Sequence, residues 1–318
     1  MATPMTRGQF PNLFDREIAK IFYKKYALNP SEFDKVAKIS DFGKGKTLTQ
    51  SEMTGLGALR SMGEGEAISF DTIADGHKAS ASVVKFGLGF QATEEMQNDE
   101  LTGNVAKIPS SMADAANYCI ETNFWDLFNS AKTTAYSWDN AAALGTHTLL
   151  KNMGTATISN LASGVLSPTT FEAAQLHYDT LLDENGRKMM MKPTKLIVPP
   201  ALRSTALQLL KASGWVWNED LGTSVSGSTN KSGMTNMLNS ANPSNGFYGS
   251  WTPMVSHFIT EGTSWFLMAE DHSFSFYWRK KPTMSSKDDF NTDNKLFKIV
   301  TRFATKIWDW RGAYGYIA

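Results

Sequence analysis

The chain is 318 residues long, 42% hydrophobic and 19% charged, the balance of a folded protein with a sizeable core, which excludes a disordered one. Its 31 Lys and Arg equal its 31 Asp and Glu, so no global charge calls for nucleic acid or an anionic membrane, and only local patches stay open. A single cysteine, Cys119, excludes an internal disulfide and a cysteine-based zinc site, and no stretch approaches the roughly 20 apolar residues of a membrane span.

Met1 to Phe10 lacks the apolar core of a signal peptide, so the chain is expected to be soluble and made in a reducing cytoplasm. Residues 14 to 28 read as an amphipathic helix. Ile18, Ile21, Phe22 and Tyr26 form one stripe, Lys20, Lys24 and Lys25 lie opposite, and Pro30 ends it. From Asp41 to Gly65 the sequence is glycine-rich and polar, the pattern of a projecting loop. Glu66 to Asp71 alternates as a short strand, and Asp75-Gly76 is a hairpin-type dipeptide. It leads to a second strand, Ser82 to Gln91, in which Val84, Phe86, Leu88 and Phe90 share a face expected to be buried. Residues 43 to 91 together read as a long two-stranded arm.

An acidic segment, Thr93 to Glu100, precedes a helix predicted from about Ser110 to Ala131; some 22 residues at 1.5 Å each span roughly 33 Å. Ser111 to Asp114 resembles a capping box with Asp in place of Glu. Met112, Ala116, Ile120, Phe124 and Phe128 repeat at every fourth residue, while Asp114, Asn117 and Glu121 form a polar strip. Cys119 is expected there as a buried small hydrophobe. After a Ser/Thr/Gly/Ala-rich connection, Ser167-Pro168 opens a helix to about Leu182. Asp183 to Gly186 turns the chain, Thr194 to Val198 is a short buried strand, and Pro199-Pro200 opens a helix to about Ala212 with Leu202, Ala206, Leu209 and Leu210 inward.

Residues 218 to 250, rich in Gly, Ser, Asn and Thr, read as a long surface loop with a short helix near Met234 to Leu238. Aromatic strands follow at Met254–Ile259, Ser264–Met268 and Ser273–Trp278. The last strand, Lys295 to Trp310, sets Phe297, Ile299, Phe303 and Ile307 on one face and Lys298, Arg302 and Lys306 on the other. At ~3.3 Å per residue it reaches about 50 Å. Helices and strands mix without a repeating β-α-β rhythm, so the class is α+β.

Chemical signals are weak. Gly43-Lys44-Gly45-Lys46-Thr47 departs from a phosphate-binding loop, because Ser40 stands where its first glycine belongs. Of His77, His147, His177, His257 and His272, none has the i+4 partner and intervening glutamate of a zinc helix, and His177 reads as a hydrogen-bonded packing residue. Glu270-Asp271-His272-Ser273 puts acid, base and nucleophile side by side, whereas catalytic groups converge in space from separate segments. A strand-end turn is the simpler reading, and a soluble hydrolase centred there is the alternative of a different class. The cluster Arg279-Lys280-Lys281 suits phosphate or a subunit interface, with Asp288, Asp289 and Asp293 opposing it.

Four stretches, in this order, carry a family pattern: Gly87 to Asp99, Pro193 to Leu202, Trp265 to Asp271 with Phe276 to Pro282, and Trp310 to Gly315. Together with the elements around them they resemble the major capsid protein of tailed bacteriophages, in its Mu-like branch. The resemblance implies that family's fold: an N-terminal arm (1–42), an extended β-hairpin loop (43–91), a peripheral domain (92–167 and 271–318) with a long spine helix (110–131), and an axial domain (168–270). It implies a structural subunit of an icosahedral viral capsid, with no catalytic activity, cofactor or metal, self-assembling into hexamers and pentamers around packaged double-stranded DNA. Phe14, Ile18, Phe22, Leu56, Leu59, Arg60, Ile68 and Phe70 are then expected at subunit contacts of the arm and loop. Lys298, Arg302 and Lys306 are expected to meet DNA non-specifically or to face a neighbour. The implied partners are further copies of the chain, portal and scaffolding proteins, and a decoration protein where one is used.

The arm-like helix begins by Phe14, without the charged segment that many relatives carry and cleave, so a separate scaffolding protein or an earlier cleavage is implied. Some relatives crosslink a loop lysine to a neighbour's asparagine, but nothing marks Lys78 or Lys85 as reactive. The location implied is the virion capsid, assembled in the host bacterial cytoplasm. An encapsulin-like nanocompartment shell, with the same fold around a protein cargo, is the alternative.

Overall fold

The computed structural model of the protein describes residues 11–68, 70–73, 75–93, 107–149, 157–211, 252–289 and 294–317. Most of the acidic segment after Thr93 and the whole 218 to 250 loop lie outside them. The elements run α1 (Pro11–Leu28), β1 (Lys38–Asp41), β2 (Thr47–Met53), β3 (Asp75–Ser82), β4 (Val84–Ala92) and α2 (Lys107–Asn129). There follow β5 (Thr146–Thr148), β6 (Thr157–Ser159), β7 (Leu161–Ala162), α3 (Pro168–Thr180), β8 (Pro193–Val198) and α4 (Arg203–Lys211). The chain continues through β9 (Thr252–Val255), β10 (Trp265–Ala269), β11 (Phe274–Asp288), β12 (Lys295–Ile307) and β13 (Ala313–Tyr316). They form two compact units: Met1–Leu48, Ser80–Trp125 and Ser275–Lys306 make the first, and Thr49–Ala79, Asp126–Phe274 and Ile307–Ala318 the second.

The first unit is built on a four-stranded sheet ordered β1-β11-β12-β4. The alternation read along Lys295 to Ile307 is realised: Phe297, Ile299 and Phe303 are buried. Antiparallel pairing from Lys295↔Ala92 to Phe303↔Val84 brings Phe90 over Phe297 and Phe86 over Phe303, both with ring centres 4.8 Å apart. Phe22 of α1 and Met112 and Ala113 of α2 pack with Ile299, so both helices cover this face. Here two expectations are corrected. Ile18 and Phe22, expected at a subunit contact, are buried within the chain itself; an apolar stripe gives a covered face without saying whose atoms cover it. Val84 and Leu88, expected to be buried, are 51% and 52% exposed, because β4 is the edge strand and the covering layer stops short of its rim.

Helix α2 starts earlier than predicted, at Lys107, so Ser111 lies inside it rather than capping it. Glu121, read as part of a polar strip, is buried. Its carboxylate accepts hydrogen bonds from Ser31 Oγ (3.1 Å), the backbone N–H groups of Glu32 (2.8 Å) and Phe33 (3.1 Å), and Trp125 Nε1 (3.0 Å). Burial pushes this carboxyl up from its ordinary value while those donors pull it back. One side chain thus fastens the segment after α1 to α2 and seats Phe33 against Phe276 at 4.7 Å. Cys119 is only half-buried, and burial raises its thiol pKa. Strand β11 also runs past the predicted Trp278 to Asp288; pairing with β12 carries a charged stretch that composition alone would leave in a loop.

The second unit has a five-stranded sheet ordered β7-β13-β10-β8-β9. Phe171 and Tyr178 of α3 pack with Trp265, Leu267, Leu196 and Val198 and with Tyr314 and Tyr316 of β13, a strand the sequence reading missed. The Ser167-Pro168 signal holds, since Ser167 and Thr170 form a reciprocal capping box at α3. Asn160, between β6 and β7, is wholly buried. Its Nδ2 donates to the carbonyls of Ala143 (2.8 Å), Trp310 (3.1 Å) and Ala313 (3.1 Å), and its Oδ1 accepts from Gly145 N–H (2.8 Å).

The arm is rearranged relative to expectation. Strands β2 and β3 pair with each other, the described residues of 66 to 71 are irregular, and Asp75-Gly76 opens β3 instead of turning the chain. Two-residue alternation marks a strand but not its partner, and β12 claims β4.

Candidate interaction surfaces

Between β2 and β3 the loop is held open by its own side chains. Gly57 N–H donates to Asp71 Oδ2 at 2.7 Å and Gly63 N–H to Glu66 Oε2 at 2.8 Å. On it Leu59 is fully exposed, Phe70 is 93% and Ile68 68% exposed, and Leu56 and Ile73 are about half exposed. Arg60 stands exposed beside them. So many large apolar side chains in water on one loop form an exposed apolar patch of the kind that interaction sites present. Phe14 lies in α1, with its side chain outside the described residues.

At the hairpin's foot lies a buried ionic cluster that the sequence reading missed. Arg311 is buried, and its guanidinium meets Glu52 of β2 (3.4 Å), Asp309 (3.1 Å) and Glu184 of the turn after α3. His77 of β3 sits 3.5 Å from Glu52, and His147 Nδ1 lies 2.6 Å from Asp139 with its ring stacked on Trp310 at 4.2 Å. A quarter of the Asp309 side chain is exposed, yet its carboxyl lies among protein atoms beside Glu52 and Asp139. Burial, reinforced by those two negative charges, pushes it up to about 7 against a hydrogen bond from Arg311 N–H. The one available signal was a lone arginine inside the aromatic run Trp308 to Tyr316.

On the sheet of the first unit, the register sets Lys85 directly opposite Arg302 and Gly89 opposite Lys298. Directly opposed residues share a face, and Lys306 follows four residues after Arg302, so these cations line one side of β4 and β12 around the bare backbone of Gly87 and Gly89. Lys298 is exposed while Arg302 and Lys306 are half-buried, and burial lowers the Lys306 amine from its ordinary value. Among the described residues no carboxylate stands within ion-pair distance of Lys85, Lys298, Arg302 or Lys306.

The remaining chemical candidates dissolve into structure. Glu270 and Asp271 form the turn between β10 and β11. Ser273 Oγ donates to Asp309 O (2.7 Å) and accepts from Asp309 N–H (2.6 Å), and His272 Nδ1 accepts from Phe274 N–H (3.3 Å). Ser273 Oγ and His272 Nδ1 thus each engage a backbone partner. Gly43 to Thr47 leads into a strand, where a phosphate-binding loop opens a helix. His177 packs on Tyr314 at 4.4 Å, and burial pushes it down to about 4; its buried Nε2 makes no hydrogen bond among the described residues. Among the described residues no helix is long and apolar enough to cross a membrane, and no group of three or more His, Cys, Asp or Glu is placed to hold a metal ion.

Two compact units, a long half-buried helix against a long-stranded sheet and an apolar-tipped hairpin, with family and fold matches to phage capsids, make the chain a structural subunit of an icosahedral shell. The family model described as phage capsid protein matches residues 78–315, about three-quarters of the chain, and the chain belongs to that family. No curated protein matches it by sequence. Among solved structures it resembles the capsid of cyanophage P-SCSP1u at 10% identity and TM-score 0.56, over 91% of this chain and 88% of that one. Mycobacterium phage Patience gives 11% identity and TM-score 0.56, over 98% of this chain and 88% of that one. The procapsid of bacteriophage JBD30 gives 13% identity and TM-score 0.51, over 99% and 76%. At these identities the likeness is one of fold, that of the tailed-phage major capsid protein.

Proposed function

We propose that the protein builds a phage head as hexamers and pentamers around packaged double-stranded DNA, acting through its interfaces rather than by catalysis. The exposed Leu59, Ile68 and Phe70 carry this reading, because a neighbour's surface removes from water what the subunit leaves in it. Leu56 and Arg60 join that contact. Residues 92–167 and 271–318 serve as the peripheral domain and 168–270 as the axial domain. The shell is assembled in the host bacterial cytoplasm, with portal and scaffolding proteins as partners and a decoration protein as an optional one. Electron microscopy of the purified protein tests this. Closed particles of uniform diameter are expected, and a monodisperse monomer at high concentration sinks the reading. Particles filled with protein and devoid of nucleic acid favour the nanocompartment alternative.

The cations Lys298, Arg302 and Lys306, with Lys85, form the DNA-facing surface in this proposal. Like charges directly opposed across a ladder repel, so an anionic partner stabilises them, and phosphate contacts of this kind are salt-dependent. Alanine at 298, 302 and 306 is expected to lower the log–log salt slope of DNA binding by about 3, each lost contact removing roughly 0.9. An unchanged slope with a lower particle yield assigns the face to a subunit contact instead.

A further inference from the structure

The Arg311 cluster joins three separated segments of the second unit, and one of them is the root of the hairpin. Glu52 is buried on β2, immediately before the loop. The turn that supplies Glu184 grips the loop again three and four residues later: Asn185 Nδ2 donates to the carbonyls of Gly55 (2.8 Å) and Leu56 (3.3 Å). That turn is itself fixed, because Asp183 accepts from the N–H groups of Asn185 (2.9 Å) and Arg187 (2.8 Å) and pairs with the Arg187 side chain. Beyond Leu56 the loop bonds to itself through Gly57–Asp71 and Gly63–Glu66. The hairpin is therefore clasped at its root while its apolar end stands free.

We propose that Arg311 is the positioning residue of this hairpin: it sets the direction in which the apolar loop leaves the subunit, and the charge on Asp309 beside it sets how firmly.

The charges facing Arg311 explain the second half. Glu52, Glu184 and Asp309 touch it, with Asp139 and Asp183 behind them. His77 stands on Glu52, His147 on Asp139 and Arg187 on Asp183. One guanidinium is shared among three carboxyl groups in a buried site, and at Asp309 burial, with the charges of Glu52 and Asp139, raises the carboxyl to about 7. Its exposed side lets protons reach it. A raised carboxyl holds in the clasped state a proton that the released state loses above its ordinary value of 3.8, so the stabilisation is present on the acid side and is lost as pH rises through about 7. Ionised Asp309 then repels Glu52 and competes for its guanidinium.

Amide hydrogen exchange on the unassembled full chain tests this at pH 6 and pH 8, with rates corrected for intrinsic chemistry. In Glu52→Gln the amides of β2 and β3 are expected to exchange about tenfold or more faster, as loss of a charge-assisted bond requires, while those of β8 and β10 keep their rates. In the unaltered protein β2 and β3 exchange faster at pH 8 than at pH 6, and Asp309→Asn removes that difference. Unchanged hairpin rates in Glu52→Gln, equal loosening of β8 and β10, or a pH difference that survives Asp309→Asn each overturn the proposal. The proposal rests on the hairpin being the contact element, and the two fail separately. Exchange reads the clasp without assembly, whereas lost particles with normal exchange concern the contact surface alone.

Discussion

Serine at Leu59, Ile68 and Phe70 together is expected to abolish shell formation while leaving the subunit folded at its normal melting temperature. These side chains already stand in water, so truncating them removes little that holds the subunit together. In a shell, each buried large apolar side chain contributes about 1.5–3 kcal/mol, so the triple variant forfeits on the order of 5–9 kcal/mol per loop. The loss recurs at every copy, and closure of a shell multiplies weak contacts into a stable one, so the particle fails long before the subunit does. Sedimentation and negative-stain microscopy read the assembly, and a thermal melt reads the fold. Intact particles from the triple variant would place the subunit contact elsewhere.

Alanine at Asn160 is expected to do the reverse and strike the subunit itself. The substitution strips a partner from the carbonyls of Ala143, Trp310 and Ala313 and from the N–H of Gly145, all met by one wholly buried side chain. Buried polar groups left unpaired cost roughly 1–3 kcal/mol each. Allowing for partial relaxation, the loss is on the order of 3–6 kcal/mol, or a fall in melting temperature of about 10 °C or more in a chain of this size. Asn160→Asp is expected to fare no better, because a carboxylate oxygen then faces three carbonyls. A calorimetric scan showing a fall of under about 2 °C would mean that water replaces the amide.

These two sites illustrate what was and was not legible in the sequence. Leu59 lies in a glycine-rich polar stretch with no local face to hide in, whereas Ile68 and Phe70 were placed at a contact through the family resemblance, on a strand that does not form. The face of β12 was legible for the opposite reason: thirteen residues of alternation fix which side chains are covered. Ser167-Pro168 announced α3 through the chemistry of a helix start. Asn160 gave no sign, since its partners lie up to 153 residues away. The Arg311 cluster gathers positions 52, 184, 309 and 311 from segments that share no local pattern. Glu121 was misread because helical spacing gives the angle of a side chain but not what lies over it. Opposition of Lys85 and Arg302 exists only once β4 has found β12, and a strand's alternation is silent about its partner.

Strand β13 lies inside its sheet, between β7 and β10, rather than at the rim. Residues 307–317 follow every other described segment of the second unit in chain order, yet they hold its centre. Until Ala313 emerges, β10 lacks one of its two neighbours and Asn160 lacks two of its three acceptors. Until Arg311 emerges, Glu52 has no guanidinium to meet. The middle of that sheet is therefore completed after its rim, and the root of the hairpin meets its guanidinium only once Arg311 has been made.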